Sequence, residues 1–155
     1  MTSPTWQSLQ AEASAFLQRG EARAAAEKLI EAIELAPTEP LLYQQLVRVA
    51  LLAGSPGTAV QAAKELCALD GDSSEAAWLH AVALLADGHP GEARAVLEQA
   101  LAAHPEDARL NVHLAQVLLE AGQGEAARPY LDKAAASADP SVRADAAALR
   151  PRLKS

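Results

Sequence analysis

The chain reads as an all-α protein, an α-solenoid of antiparallel helix pairs, and three ladders of residues predict it. Gly20, Gly54, Gly88 and Gly122 stand at one interval of 34 residues. Ala25, Ala59, Ala93 and Ala127 keep the same interval. Pro37, Gly71, Pro105 and the Asp139–Pro140 step close successive units as helix stoppers. A fixed period of about 34 residues marks stacked helical hairpins, each too small to bury its own apolar face.

The elements follow in order. Ser3 offers a first N-cap, with Pro4 at the first helical position. Leu9, Ala13, Phe16 and Leu17 then share one stripe at helical spacing. Gly20 supplies the left-handed residue that ends this helix. The second helix carries Ala25, Leu29, Ala32 and Ile33, and Pro37 stops it. The next unit opens at Thr38-Glu39-Pro40. Its helices carry Leu42, Tyr43, Leu46, Val47 and Ala50, then Ala59, Ala63, Leu66 and Cys67, with Ser55-Pro56 as cap and first-turn proline between them. The third unit opens with Asp72 and Glu75 at capping-box spacing. Ala77, Ala81 and Leu84 line its first helix; Ala93, Leu97, Ala100 and Leu101 line its second. The fourth has Leu110, Leu114, Ala115 and Leu118, then Ala127, Leu131, Ala134 and Ala135. A last helix begins after Asp139-Pro140 and runs to about Arg150. It turns Val142, Ala146 and Leu149 inward and Arg143, Asp145 and Arg150 to water, as a stacked array needs at its end.

The composition of this 155-residue chain agrees: half of it is apolar but only 3% is aromatic. Closely packed alanine and leucine helices have this balance. A net charge of −7 argues against general attraction to nucleic acid or anionic membrane. The last fifteen residues run the other way, with Arg143, Arg150, Arg152 and Lys154 against Asp145; such cations suit a helix C-terminus. The start lacks the basic-then-apolar pattern of a secretory signal, and no run of about 20 apolar residues is present to span a bilayer. A single cysteine, Cys67, leaves no internal disulfide and fits a reducing cytoplasm. The alanine-rich, arginine-over-lysine usage is a habit of bacterial chains from GC-rich genomes.

On these ladders the chain resembles a tetratricopeptide-repeat protein. The resemblance covers nearly all of it as one domain, with repeats at about 6–39, 40–73, 74–107 and 108–139 and a capping helix at about 140–151. Small residues stand where the family crosses its helices: Ala13, Ala81 and Ala115, the alanine ladder, then Ala32, Ala100 and Ala134. Larger ones surround them: Phe16, Leu84, Leu118, Leu29, Leu97 and Leu131. The second repeat departs, with Val47 and Leu66 where alanine is expected and Ala50 and Ala63 where bulk is expected. Either a volume-conserving exchange or a local change of packing angle accounts for it. Gly71, in the place of a terminal proline, suits a helix C-cap. The resemblance implies a right-handed superhelix whose first helices line a concave groove, where partner peptides lie.

Carried onto this sequence, the groove-facing places are Gln7, Gln10, Ser14 and Leu17 in the first repeat; Leu41, Gln44, Gln45, Arg48 and Leu52 in the second; Glu75, Trp78, Leu79, Val82 and Leu85 in the third; and Arg109, Val112, His113, Gln116 and Leu119 in the fourth. The candidate partner-binding set is Gln44, Arg48, Leu52, Trp78, Val82, Leu85, Arg109, Val112, His113 and Gln116. An aromatic anchor with arginines nearby is the usual make-up of a binding hot spot. Trp78 keeps two readings, groove anchor or core filler, because a shift of one residue exchanges them. A family subclass grips acidic C-termini of heat-shock chaperones with lysines, asparagines and an arginine. The matching places are Gln10, Ser14, Gln45, Glu75 and Leu79, or Gln44, Arg48, Leu79, Arg109 and His113. Neither set is such a clamp, though the second keeps two arginines and a histidine that suit a carboxylate.

Catalysis has little support. His80, His89, His104 and His113 form no zinc-hydrolase pattern, and no metal or other cofactor is implied. His89 and His104 precede prolines at turns, and His80 takes a place between helices. Cys67, with no activating histidine evident in the sequence, reads as a small hydrophobe. The expected function is therefore an adaptor holding a peptide or helix of another protein in the groove. An assembly or secretion chaperone and a self-assembling scaffold are the alternatives. Homo-oligomerisation stays open; nucleic acid and membrane insertion are not expected.

Overall fold

Three of the laddered glycines end their helices by one hydrogen-bond pattern. The amide of Gly20 donates to Leu17 O at 2.9 Å and that of Glu21 to Phe16 O at 2.9 Å. Gly54 and Ser55 repeat the pair on Leu51 and Ala50, and Gly122 and Gln123 on Leu119 and Leu118. This is the Schellman arrangement, and it needs a left-handed residue. Gly20, Gly54, Gly88 and Gly122 all have φ between +73° and +82°.

The computed structural model describes residues 2–153 and divides the chain into two compact units that meet between Asp87 and Gly88. The described residues hold helices and no strand. The first unit contains α1 (Trp6–Gln18), α2 (Ala22–Leu35), α3 (Pro40–Leu52), α4 (Pro56–Leu69) and α5 (Ser74–Ala86). Each packs on the next, and α3 also meets α5. The second unit contains α6 (Pro90–Ala103), α7 (Ala108–Glu120), α8 (Gly124–Ala135), α9 (Pro140–Leu149) and a 3-10 turn at Arg150–Arg152. There α7 is central, packed by α6, α8 and α9.

The helix starts correct several sequence expectations. Thr5, not Ser3, caps α1, because Ser8 three residues on reciprocates: the Ser8 amide reaches Thr5 Oγ1 at 3.1 Å and the Thr5 amide reaches Ser8 Oγ at 3.0 Å. Ser73, not Asp72, caps α5, its hydroxyl accepting from the Ala76 amide at 3.1 Å. Glu39 is the N-cap of α3. Ser55 is the N-cap of α4 with Pro56 behind it, but its side chain makes no capping bond. Gly71 is not left-handed; α4 has already ended at Leu69, with Asp70 as its C-cap.

Ala25, Ala59, Ala93 and Ala127 are all fully buried. Side chains this small let helix axes approach to the short end of the usual 8–10 Å range. Leu29, Leu97 and Leu131 fill the space beside them and are buried as well. In the second repeat Val47, Ala50, Ala63 and Leu66 are all at 0% exposure. The exchange of large for small therefore lies wholly inside the core, as a volume-conserving swap requires. Two polar side chains in the packed interior are satisfied locally. Tyr43 Oη donates to Pro37 O at 2.7 Å, and Asn111 Nδ2 donates to Asp107 O at 3.1 Å.

In the second unit α9 lies on α7 and α8. Val142 and Ala146 are buried, Leu149 is half-buried, and Arg143, Asp145 and Arg150 are exposed. Arg150 is tied to Asp132 of α8 at 2.8 Å. Lys154, counted in the basic tail, lies outside the described residues. No helix among the described residues is long and apolar enough to cross a membrane. Deleting residues 140–155 uncovers roughly 150–200 Å² of apolar surface, worth about 4–5 kcal/mol at ~25 cal/mol per Å². The truncated chain is expected to melt well below the full one by circular dichroism; equal melting temperatures would remove the capping role.

Candidate functional site

The candidate residues divide between the units. Gln44, Arg48, Leu52, Trp78, Val82 and Leu85 belong to the first; Arg109, Val112, His113 and Gln116 belong to the second. Each group has its own geometry.

In the first unit the odd-numbered helices present a joined polar and apolar face. On α3, Leu41, Gln45, Arg48 and Leu52 fall on one stripe because residues four, seven and eleven apart share a helix face. Leu41 is 42% exposed and Leu52 74% exposed, high values for leucine in a folded chain. The opposite side of α3 is buried through Leu42, Leu46, Val49 and Ala50. Gln10 of α1 donates from Nε2 to Gln45 Oε1 at 2.9 Å, which joins α1 to α3. Arg48 joins α3 to α5 twice. Its guanidinium meets Glu75 at 2.5 Å and lies 6.0 Å from the centroid of the Trp78 ring, the outer limit of a cation–π contact. Trp78, Val82 and Leu85 are half-buried along α5, whereas Leu79 is buried. Trp78 is thus neither sealed in the core nor freely exposed.

Beside the glutamine pair lies a cleft of about 130 Å³. Ala13, Leu29 and Val49 form its buried floor and Leu17 its wall; Gln10, Ser14, Gln45 and Arg48 form its rim. The rim residues were legible from the sequence as one face. The cleft was not, because Leu29 and Val49 reach it from the core sides of α2 and α3.

In the second unit the candidates are more constrained. Val112 is only 5% exposed, which corrects its place among the ligand-facing residues. Helix α7 has neighbours on three sides, so Leu110, Val112, Leu114, Val117 and Leu118 are all buried around it. Arg109 is exposed and pairs with Asp139, the N-cap of α9, at 3.3 Å. The Asp139 carboxyl is held below its ordinary range, chiefly by hydrogen bonds from Ser141 and also by Arg109. Gln116 donates to Glu120 Oε1 at 3.2 Å. Around the α7–α8 turn Leu119 and Arg152 border an open depression of about 610 Å³.

His113 is half-buried, and burial drives its pKa down to about 4. Arg109 pushes the same way; Asp145 and Asp107 oppose it more weakly. The imidazole is therefore neutral near pH 7 and supplies no positive charge to a ligand. The unfolded chain takes up this proton below about pH 6.5, while the folded chain resists until about pH 4. Stability must then fall as pH drops through that window, by on the order of 3 kcal/mol for a shift of this size. In His113→Gln the pH-dependent loss between 6.5 and 4 is expected to be smaller than in the native chain, read from urea midpoints at each pH.

Sequence reasoning missed one neighbourhood. Cys67 Sγ lies 4.0 Å from His80 Nδ1 and 3.5 Å from Ala76 O, so a histidine is near the thiol after all. Burial, with Asp70 adding to it, nevertheless raises the Cys67 pKa. The thiol stays protonated near neutral pH and keeps its character of a small hydrophobe. No group of three His, Cys, Asp or Glu among the described residues is arranged to hold a metal ion.

Comparison with known proteins agrees with this architecture. The tetratricopeptide repeat family model matches residues 84–152. Among solved structures, the chain is similar to TTC0263, a thermophilic TPR protein of Thermus thermophilus (TM-score 0.73, 23% identity, covering 95% of this chain and 82% of that one). It is also similar to MamA, residues 41 to the end, from Desulfovibrio magneticus RS-1 (TM-score 0.71, 22% identity, 87% and 76% covered). A third is the first TPR of Spaghetti (RPAP3) bound to the HSP90 peptide SRMEEVD (TM-score 0.63, 16% identity, 79% and 99% covered). At these identities the likeness concerns the fold. No curated protein matches the chain.

Proposed function

We propose that this chain, a tetratricopeptide-repeat protein, is an adaptor that holds a segment of another protein on the α1–α3–α5 face of its first unit. The observation that carries the reading is the exposed apolar stripe Leu41–Leu52 beside half-buried Trp78, Val82 and Leu85, edged by Gln10, Gln45 and Arg48. Apolar surface rimmed by polar groups marks interaction sites, and a rigid face spends little ordering entropy on a guest. The helices that carry the face are fixed by their buried sides, so the scaffold is ready before the guest arrives.

The electrostatics narrow the guest. Spaghetti is bound to a peptide ending Glu-Glu-Val-Asp. Here Arg48 already holds Glu75, Arg109 already holds Asp139, and His113 is neutral. A ligand carboxylate would have to displace an internal one, which removes most of the gain. An acidic chain terminus is therefore a poor guest. A cytoplasmic location accords with the single cysteine.

Trp78→Ala combined with Arg48→Ala is expected to abolish capture of partner proteins from a lysate of the source organism while leaving far-UV circular dichroism unchanged. Undiminished capture by this double variant would move the interaction to another surface.

A further inference from the structure

Resting on that reading of the first unit, we infer that the cleft beside Gln10 and Gln45 receives one aliphatic side chain from an extended partner segment whose flanking residues are basic. Size is the first reason. A volume of about 130 Å³ is roughly four water molecules at ~30 Å³ each, which is the room a leucine or isoleucine side chain needs. Polarity is the second. The floor of Ala13, Leu29 and Val49 offers no hydrogen bond and is itself buried, so a polar side chain placed there would lose water without compensation.

The glutamine pair specifies the backbone. Gln10 Nε2 donates to Gln45 Oε1. That bond leaves the Gln10 oxygen as an acceptor and the Gln45 NH2 as a donor at the cleft rim. An extended segment offers the matching N–H and C=O, whereas a helix has spent its own on itself.

Charge selects the flanks. Residues 1–87 carry five Lys and Arg against eleven Asp and Glu, a net of −6 out of the chain's −7. Arg48, the one cation on the cleft rim, is bridged to Glu75. Lys28, on α2, is bridged to Glu31 and Glu12. The unit that carries the cleft is therefore acidic as a whole and its rim cation is already paired, a balance that draws lysine or arginine and disfavours carboxylates.

The test pans the full-length chain against a randomised heptapeptide display library at physiological salt. Enriched peptides are then resynthesised with a fluorescein label and titrated by anisotropy. The expected consensus has one invariant aliphatic residue with Lys or Arg within two places of it. Replacing that residue by glycine should weaken binding about tenfold or more, and added salt should weaken it further. Ser14→Phe, a change at an exposed rim position, should plug the cleft with a similar loss; Ser14→Leu is the milder plug, and circular dichroism checks both folds. Acidic consensus peptides, or a consensus without a fixed aliphatic place, would overturn the inference. If Trp78→Ala abolishes binding while both Ser14 variants bind normally, the cleft fails and the face remains a peptide site. Failure to enrich any peptide, or indifference to all three variants, removes both.

Discussion

Close approach of helices at buried alanines underlies every other feature of this molecule. Ala25, Ala59, Ala93 and Ala127 have no exposed surface at all. At each of these places a longer side chain would either push two helices apart or force strain into a core already at crystal-like density. Alanine also gives up no rotamer freedom on burial. The leucines beside the ladder, Leu29, Leu97 and Leu131, are buried with it. The turn glycines serve the same end. They reverse the chain within a few residues, and their positive φ comes without the steric cost a Cβ would bring.

The inward faces of the helices are consumed by this packing, which leaves only their remaining faces to meet a partner. Helix α3 shows the division. Leu42, Leu46, Val49 and Ala50 hold it in place, while Leu41, Arg48 and Leu52 are left outward. Helix α3, packed by α2, α4 and α5, and helix α7, packed by α6, α8 and α9, have matching neighbours. Their side chains differ: Val112 of α7 is buried where the same place on α3 carries half-buried Gln44, and Asn111 is buried and bonded to its own turn.

Charge is treated differently from apolar surface. The two arginines among the candidate residues are committed to carboxylates one helix pair further along the chain: Arg48 to Glu75 and Arg109 to Asp139. Such exposed pairs add little stability. Their larger effect is to cancel the positive potential that a carboxylate ligand would seek. Burial then removes the charge of His113 as well. A set that looks cationic in sequence is close to neutral once folded, and the first unit as a whole is strongly acidic.

The helices, their ends at the laddered glycines and the buried alanine positions were all legible in the amino-acid order. Each of these follows from backbone geometry over a few residues or from a period that repeats along the chain. The outward placement of Arg48 and Leu52 was legible too, from the groove-facing places the family resemblance assigns to one helix face; Trp78, which the sequence left between groove and core, is half-buried. Folding had to settle the rest: that Glu75 neutralises Arg48, that Val112 is core, that His80 stands beside Cys67, and that Leu29 and Val49 floor a cleft. These depend on which faces of different helices meet. Periodicity is the same in every repeat and so carries no information about those pairings. They arise where side chains far apart in the sequence compete for the same space and the same charge.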